Sequence, residues 1–328
     1  MKKCWLCLKD CHKEELTEEH IFPAACGGTL KVECLCKECN DKLGARVDAG
    51  YANSIMNKLD QASRDPSINP FDKMPFENSG FKYRVERNNQ GEFFPRQIPK
   101  VEEEKLQNGG YRIQVAVDSQ DQKSMESIII KKAKRYYMGE KLTQLELEDL
   151  ISKNSKTVVV SPNEFQTSFT IDFDAQRLSL IKIAYEMTCY WLGEAYLSDP
   201  IGGEIRKLLY DSSRMRKPDL RNSQLRGGFF SIPDDCKHLF PRNKHIACLL
   251  PIREGICCLV SLKGLLSFSL LVASKERRYS NMLNCQDGCL LLMEPYQKHE
   301  KMSLVEWVTQ FCQEGVTPNG TTHTSADS

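Results

Sequence analysis

Two Cys-x2-Cys pairs, Cys4/Cys7 and Cys36/Cys39, enclose the segment Thr17-Glu18-Glu19-His20-Ile21-Phe22-Pro23, and Asn40 follows the last cysteine directly. Each pair can form a tight knuckle that presents two thiolates, and two knuckles supply the four sulfurs of a tetrahedral structural zinc site. Other ligand choices stand beside this one. Cys11-His12 could replace a member of the first pair, and Cys26 or Cys34 could substitute elsewhere. The paired knuckles are the simpler answer and leave Cys11, Cys26 and Cys34 as small, partly buried thiols. A zinc knuckle with nothing else would be a binding or scaffold module.

The residues between and beside the knuckles add a second, hydrolytic chemistry. The Glu19 carboxylate and the Asn40 amide oxygen are hard donors suited to a divalent ion such as Mg²⁺ or Mn²⁺, with coordination sites left for water and a phosphate. His20, with an ordinary pKa near ~6.5, can deprotonate an attacking water.

Positioning these groups requires a definite order of elements. Pro23 ends a strand that carries Glu19 and His20, Gly27-Gly28 gives a flexible turn, and a return strand reaches Cys36. A helix then starts and holds Asn40 on its first turns. Neighbours on an extended strand point to opposite sides, but a metal held by Glu19 and a water polarised beside His20 need only meet in one cleft.

The run Cys4-x2-Cys7, Glu19-His20-Ile21-Phe22-Pro23, Gly27-Gly28, Cys36-x2-Cys39-Asn40, Leu43-Gly44 and Val47-Asp48 resembles the HNH endonuclease family with its ββα-metal fold. The resemblance covers roughly residues 4 to 50. It implies that His20 is the general base and that Glu19 and Asn40 hold one Mg²⁺-type ion at the scissile phosphate. The middle asparagine of the family name, which in many members buttresses the histidine from the second strand, has no obvious counterpart. Thr29, Lys31 and Glu33 occupy that region. Asp48 matches the branch pattern without an assigned role, and a helix-surface or capping position suits it as well.

The chain has 328 residues, 41% hydrophobic and 27% charged, with mean hydropathy −0.46 and net charge +1. That is room for two domains, and no global field draws the chain to a polyanion, so any nucleic-acid contact must be local. The N-terminus lacks an apolar segment of secretory length, and the apolar stretch from His245 to Ala273 is broken by Arg253, Glu254 and Lys263. We therefore expect a cytoplasmic protein without a membrane span. Of fifteen cysteines, eight are scattered from Cys189 to Cys312, and reduced core thiols are expected there.

The expected fold class is α+β: a zinc-stapled ββα-metal (HNH) domain over residues 1–60, then a larger mixed α+β domain. A proline-rich connector is expected over 61–110, with strands at Phe81–Arg87 and Glu92–Arg96 around a turn at Asn88–Gly91. An α+β region spans 111–314, and a small, polar, disordered tail follows over 315–328. Within the third region we expect a strand at Tyr111–Asp118, helices at Asp121–Tyr137 and Leu142–Ile151, and strands at Thr157–Val160 and Gln166–Phe173. Helices follow at Asp174–Leu197, with Leu178, Ile181, Tyr185, Thr188 and Leu192 on one face, and at Ile201–Asp211. Three strands lie within Lys244–Ala273, another at Gly288–Met293, and a helix at Leu304–Phe311.

From Arg206 to Arg226 seven basic residues face two acids, and a basic loop over Met215–Gly228 could hold a phosphate backbone. The Ile128–Tyr137 run reads better as an amphipathic helix with a solvated basic face. The resemblance implies a metal-dependent endonuclease acting on a nucleic acid, chiefly DNA, and such nucleases are commonly deployed in bacterial defence or restriction systems. The competing reading is a catalytically silent zinc module that binds nucleic acid or a protein.

Overall fold

The computed structural model describes residues 1–72, 74, 76–136, 146, 148–149, 152–153, 166–167, 171–215, 220, 224–274, 279 and 288–314. Two compact units emerge, one of residues 1–57 with 172–328 and one of residues 58–171. The linear succession expected from the sequence is thus regrouped. The N-terminal segment joins the part of the chain from residue 172 onward, nearly half its length, and the proline-rich stretch joins the residues that follow it.

The N-terminal segment begins with a small hairpin, β1 (Lys2–Lys3) and β2 (Asp10–Cys11). The antiparallel pair β3 (Leu16–His20) and β4 (Lys31–Cys36) follows. Helix α1 (Lys37–Leu43) continues through a π turn at Gly44–Asp48 into α2 (Ala49–Ala52). This is the expected strand, loop, strand, helix order. The turn between the strands is tightly packed rather than flexible. A Cβ on Gly28 would lie 1.8 Å from the Phe22 carbonyl oxygen, and Gly27 takes φ +89°. Both positions need glycine for space or for backbone conformation.

Helix α3 (Ile55–Arg64) leads into the second unit. Its strands β5 (Phe76–Asn78), β6 (Phe81–Arg87) and β7 (Phe93–Gln97) form an antiparallel sheet with the later β10 (Gln166–Thr167). The Asn88–Gly91 turn joins β6 to β7 as expected, closed by the Gly91 N–H on the Asn88 carbonyl (3.0 Å). β8 (Lys100–Lys105) pairs with β9 (Tyr111–Ala116), and α4 (Gln122–Tyr136) packs on β9. The helix expected at Leu142–Ile151 falls mostly outside the described residues. The strand at Thr157–Val160 and the tail over 315–328 lie wholly outside them.

Of the strand expected over Gln166–Phe173, Gln166–Thr167 is strand, residues 168–170 lie outside the described residues, and Asp172 already caps a helix. Its Oδ1 accepts from the Ala175 N–H (2.9 Å), and α5 runs Phe173–Leu192. Gly193, at φ +68°, ends it five residues before the expected boundary, and a 3₁₀ turn covers Gly193–Ser198. Helix α6 (Pro200–Ser212) starts on Asp199, whose Oδ1 accepts from the N–H groups of Ile201 and Gly202.

β11 (Gly227–Phe230), β12 (His245–Ile252), β13 (Gly255–Leu262), β14 (Leu266–Ala273), β15 (Cys289–Met293) and β16 (His299–Ser303) build one antiparallel sheet in the order β11-β14-β13-β12-β15-β16. The three strands predicted within Lys244–Ala273 break at the expected turns, and α7 (Leu304–Glu314) follows β16.

Helix α5 was expected to show one apolar face. Instead every residue from Leu178 to Cys189 is buried, because the helix packs on β13 and β14 and also on the π turn of the N-terminal segment. One continuous core runs from Leu6 and Phe22 through Ile181 to Phe268 and Met293. Among the described residues no helix is long and apolar enough to cross a membrane.

Candidate active site

The sulfurs of Cys4, Cys7, Cys36 and Cys39 all lie within 4.8 Å of one another. Knuckle geometry places them there: the Leu8 N–H closes on the Cys4 carbonyl (3.0 Å), and the Trp5 N–H bridges to the Cys34 carbonyl on β4 (2.9 Å). The Cys36 N–H also points at Cys4 Sγ (3.4 Å), the kind of backbone donor that steadies a metal-bound thiolate. The crowding splits the thiols electrostatically. A hydrogen bond from the Cys39 thiol holds Cys4 down to about 4, and the same contact pushes Cys39 up. Burial pushes Cys7 up to about 11. A sulfur-only set of four at this spacing fits Zn²⁺.

The competing ligands are elsewhere. Cys26 donates to the Pro23 carbonyl (3.0 Å), and burial raises its thiol to about 12. Burial likewise pushes Cys34 up, while His12 is exposed. Cys11 is buried, and its thiol points at the Lys9 carbonyl (3.6 Å). Among the described residues Cys189, Cys248 and Cys258 are buried free thiols.

Beside the knuckles lies a cleft of about 360 Å³, walled by Glu19 and His20 from β3, Pro23–Ala25, Asn40 from α1, Gly44 and Asp48 at the two ends of the π turn, and Ala49 from α2. The three residues singled out in the sequence thus meet in one cavity. Asn40 is held by its amide nitrogen, which donates to Thr17 Oγ1 (2.9 Å) and to the Glu18 carbonyl (2.9 Å). Its Oδ1 is left as an acceptor. Glu19 is 3% exposed, and its Oε1 accepts from the ammonium of Lys182. His20 is held below its ordinary value, first by burial and then by the charge of Lys31, which Glu19 partly offsets.

Residues 4–56 match the HNH endonuclease family. No curated protein and no solved structure matches the chain. The N-terminal segment is therefore an HNH domain with a four-cysteine cluster, and the matched span extends a few residues past the motif region read from the sequence.

Two features of this HNH site were not assigned from the sequence. Asp48, given a surface or capping place as readily as any other, is a wall of the cleft. Its Oδ2 lies 3.4 Å from Lys182 Nζ, and its Oδ1 is buried without a hydrogen-bond partner. Burial raises its carboxyl to about 6 against the pull of Lys182. The Val47-Asp48 pair in the motif was the available signal. Lys182 itself, fully buried on α5, carried no local signal at all.

The donor set fits a divalent cation. Glu19, Asp48 and Asn40 bring hard oxygens to one cavity, and the orphaned Asp48 Oδ1 is a buried acceptor in want of a cation or donor. Three acidic side chains, Glu19, Asp48 and Glu186, share the single ammonium of Lys182. Burial pushes Glu186 well up.

The basic stretch expected to hold a phosphate backbone is only partly described. Arg206 donates to the Leu197 carbonyl (2.6 Å), and Arg214 stacks over the Tyr210 ring at 3.5 Å and approaches Glu38. Arg216, Lys217 and Arg221 lie outside the described residues.

Proposed function

We propose that this protein is a metal-dependent endonuclease that hydrolyses phosphodiester bonds in DNA. The observation that carries the reading is the cleft in which His20, Glu19 and Asn40 converge inside an HNH domain. His20 is the general base. Its depressed pKa keeps the imidazole neutral at neutral pH, free to take a proton from water as the new P–O bond forms and the bond to the leaving oxygen breaks. Glu19 and Asn40 would hold one Mg²⁺ or Mn²⁺, which when bound stabilises charge on the phosphate and the leaving oxygen. Asn40 can do so because its nitrogen is tied to β3, leaving its oxygen for the cleft. The four-cysteine cluster would hold the structural zinc. Action in the cytoplasm and a role in a bacterial defence or restriction system complete the proposal, supported by the free thiols and by the common deployment of such nucleases.

The test is cleavage of supercoiled plasmid, with single-stranded DNA and RNA as parallel substrates, in Mg²⁺ or Mn²⁺. We expect nicking that needs the ion and falls at least ~100-fold in His20→Ala while fold and zinc content persist. A His20→Ala protein that cuts as well as the parent rejects the mechanism.

A second reading, a silent zinc module that binds nucleic acid or a protein, is favoured by one observation: a lysine, Lys31, stands across the ladder from His20. Binding in EDTA with no cutting in Mg²⁺ would select it.

A further inference from the structure

Helix α5 lies outside the residues that match the family, yet its polar stripe is directed at the HNH domain. Ser179 Oγ donates to the Val47 carbonyl (2.6 Å), and the Tyr185 hydroxyl donates to the Trp5 carbonyl (2.5 Å). Between them Lys182, fully buried, donates to Glu19 Oε1 and to the His20 carbonyl (2.7 Å). Asp48 Oδ2 is 3.4 Å from the same nitrogen, and Glu186 Oε2 is 3.1 Å away. The ammonium thus serves two acceptors on β3, Glu19 Oε1 and the His20 carbonyl, with Asp48 and Glu186 at its remaining sides. A lysine in such a core is costly to desolvate, and an apolar side chain of similar volume would often pack there as well or better. Its placement on three of the residues that line the cleft calls for a role.

We propose that Lys182 is a positioning residue of the nuclease centre, clamping Glu19 by one carboxylate oxygen and β3 by the His20 carbonyl so that the other Glu19 oxygen is presented to the cation. The centre is then a composite of the HNH domain and a helix from the C-terminal part of the chain. This inference rests on the reading of the cleft as a nuclease centre.

A lysine that merely balances buried charge makes a different prediction about metal affinity. By Coulomb's law alone, removing a positive charge beside a cation site tightens cation binding, and removing it together with the adjacent acid leaves binding about unchanged. Loss of a positioning contact weakens it. Mn²⁺ binding to the full-length, zinc-loaded protein without DNA, measured by titration calorimetry, separates the two. In Lys182→Met/Glu186→Gln, which removes one base and one acid together, we expect Mn²⁺ to bind at least ~10-fold more weakly, with zinc content and circular dichroism unchanged. Binding as tight as the parent's, or tighter, overturns the inference.

If the double variant does not fold, Lys182→Arg carries the test. It keeps the charge but replaces a compact ammonium by a planar fork, and is expected to weaken Mn²⁺ at least ~3-fold. Unchanged or tighter affinity overturns the inference here too. A parent that binds no Mn²⁺, or whose Mn²⁺ binding survives Glu19→Gln, overturns the nuclease-centre reading instead, and this inference falls with it.

Discussion

Lys31 on β4 lies directly opposite His20 on β3, and its ammonium pairs with Glu18 Oε2 at 3.2 Å. A cation therefore occupies the second-strand region from which many family members steady the histidine with an asparagine. Lys31 cannot accept a hydrogen bond from the ring, but its charge opposes protonation of His20.

That opposition fixes the sign of a pH effect. A general base works only when unprotonated, so cleavage is lost as pH falls through the His20 pKa, which burial and Lys31 hold below 6.5. The pH–rate profile at saturating Mg²⁺ should level off by neutral pH. In Lys31→Asn the acid limb should move to higher pH, because a positive neighbour is gone. Lys31 is about half exposed, with 47% of its side chain accessible, so the displacement should shrink in high salt. An NMR titration of the His20 ring reads the same quantity directly, and coincident curves for parent and variant would reject the coupling.

The four-cysteine cluster, which fits a structural zinc, predicts an asymmetry among the cysteines. Cys39→Ser removes one of four converging sulfurs, and the metal contributes about 10–16 kcal/mol to the folding of small zinc domains. The variant should lose zinc, measured as metal per chain, together with structure over the N-terminal segment. Cys26→Ser, outside the cluster, should retain one zinc per chain. Equal zinc loss in both would place the metal elsewhere.

A steric prediction concerns the turn between the strands. Gly28→Ala would force a methyl to 1.8 Å from the Phe22 carbonyl oxygen and should destabilise the protein by about 3 kcal/mol. Gly44→Ala is the contrast. Gly44 has helical φ/ψ, and a Cβ there meets nothing within 4 Å, so it should be neutral or stabilising by up to ~1 kcal/mol. Thermal melts of the two variants test the pair, and similar melting temperatures would contradict the packing described at Gly28.

The residue spacing by itself determined the paired cysteine knuckles, the Glu19-His20 couplet at a strand end and Asn40 at a helix start. Each is a short-range relation, and the pleat or the helical turn converts it into geometry almost without help from the rest of the chain. The three strands from His245 to Ala273 were legible for the same reason. Apolar runs broken at Glu254-Gly255 and Lys263-Gly264 leave little choice but antiparallel hairpins. The tertiary structure brings together the four sulfurs that the spacing favoured, within 4.8 Å of one another, and turns the Cys26 thiol instead onto the Pro23 carbonyl. It also decided that Asp48 faces the cleft, and that Lys182, 163 residues from Glu19, reaches that carboxylate. No local periodicity encodes such a meeting. It follows from α5 being buried on every side, which occurs only once the C-terminal sheet and the HNH domain close on it together.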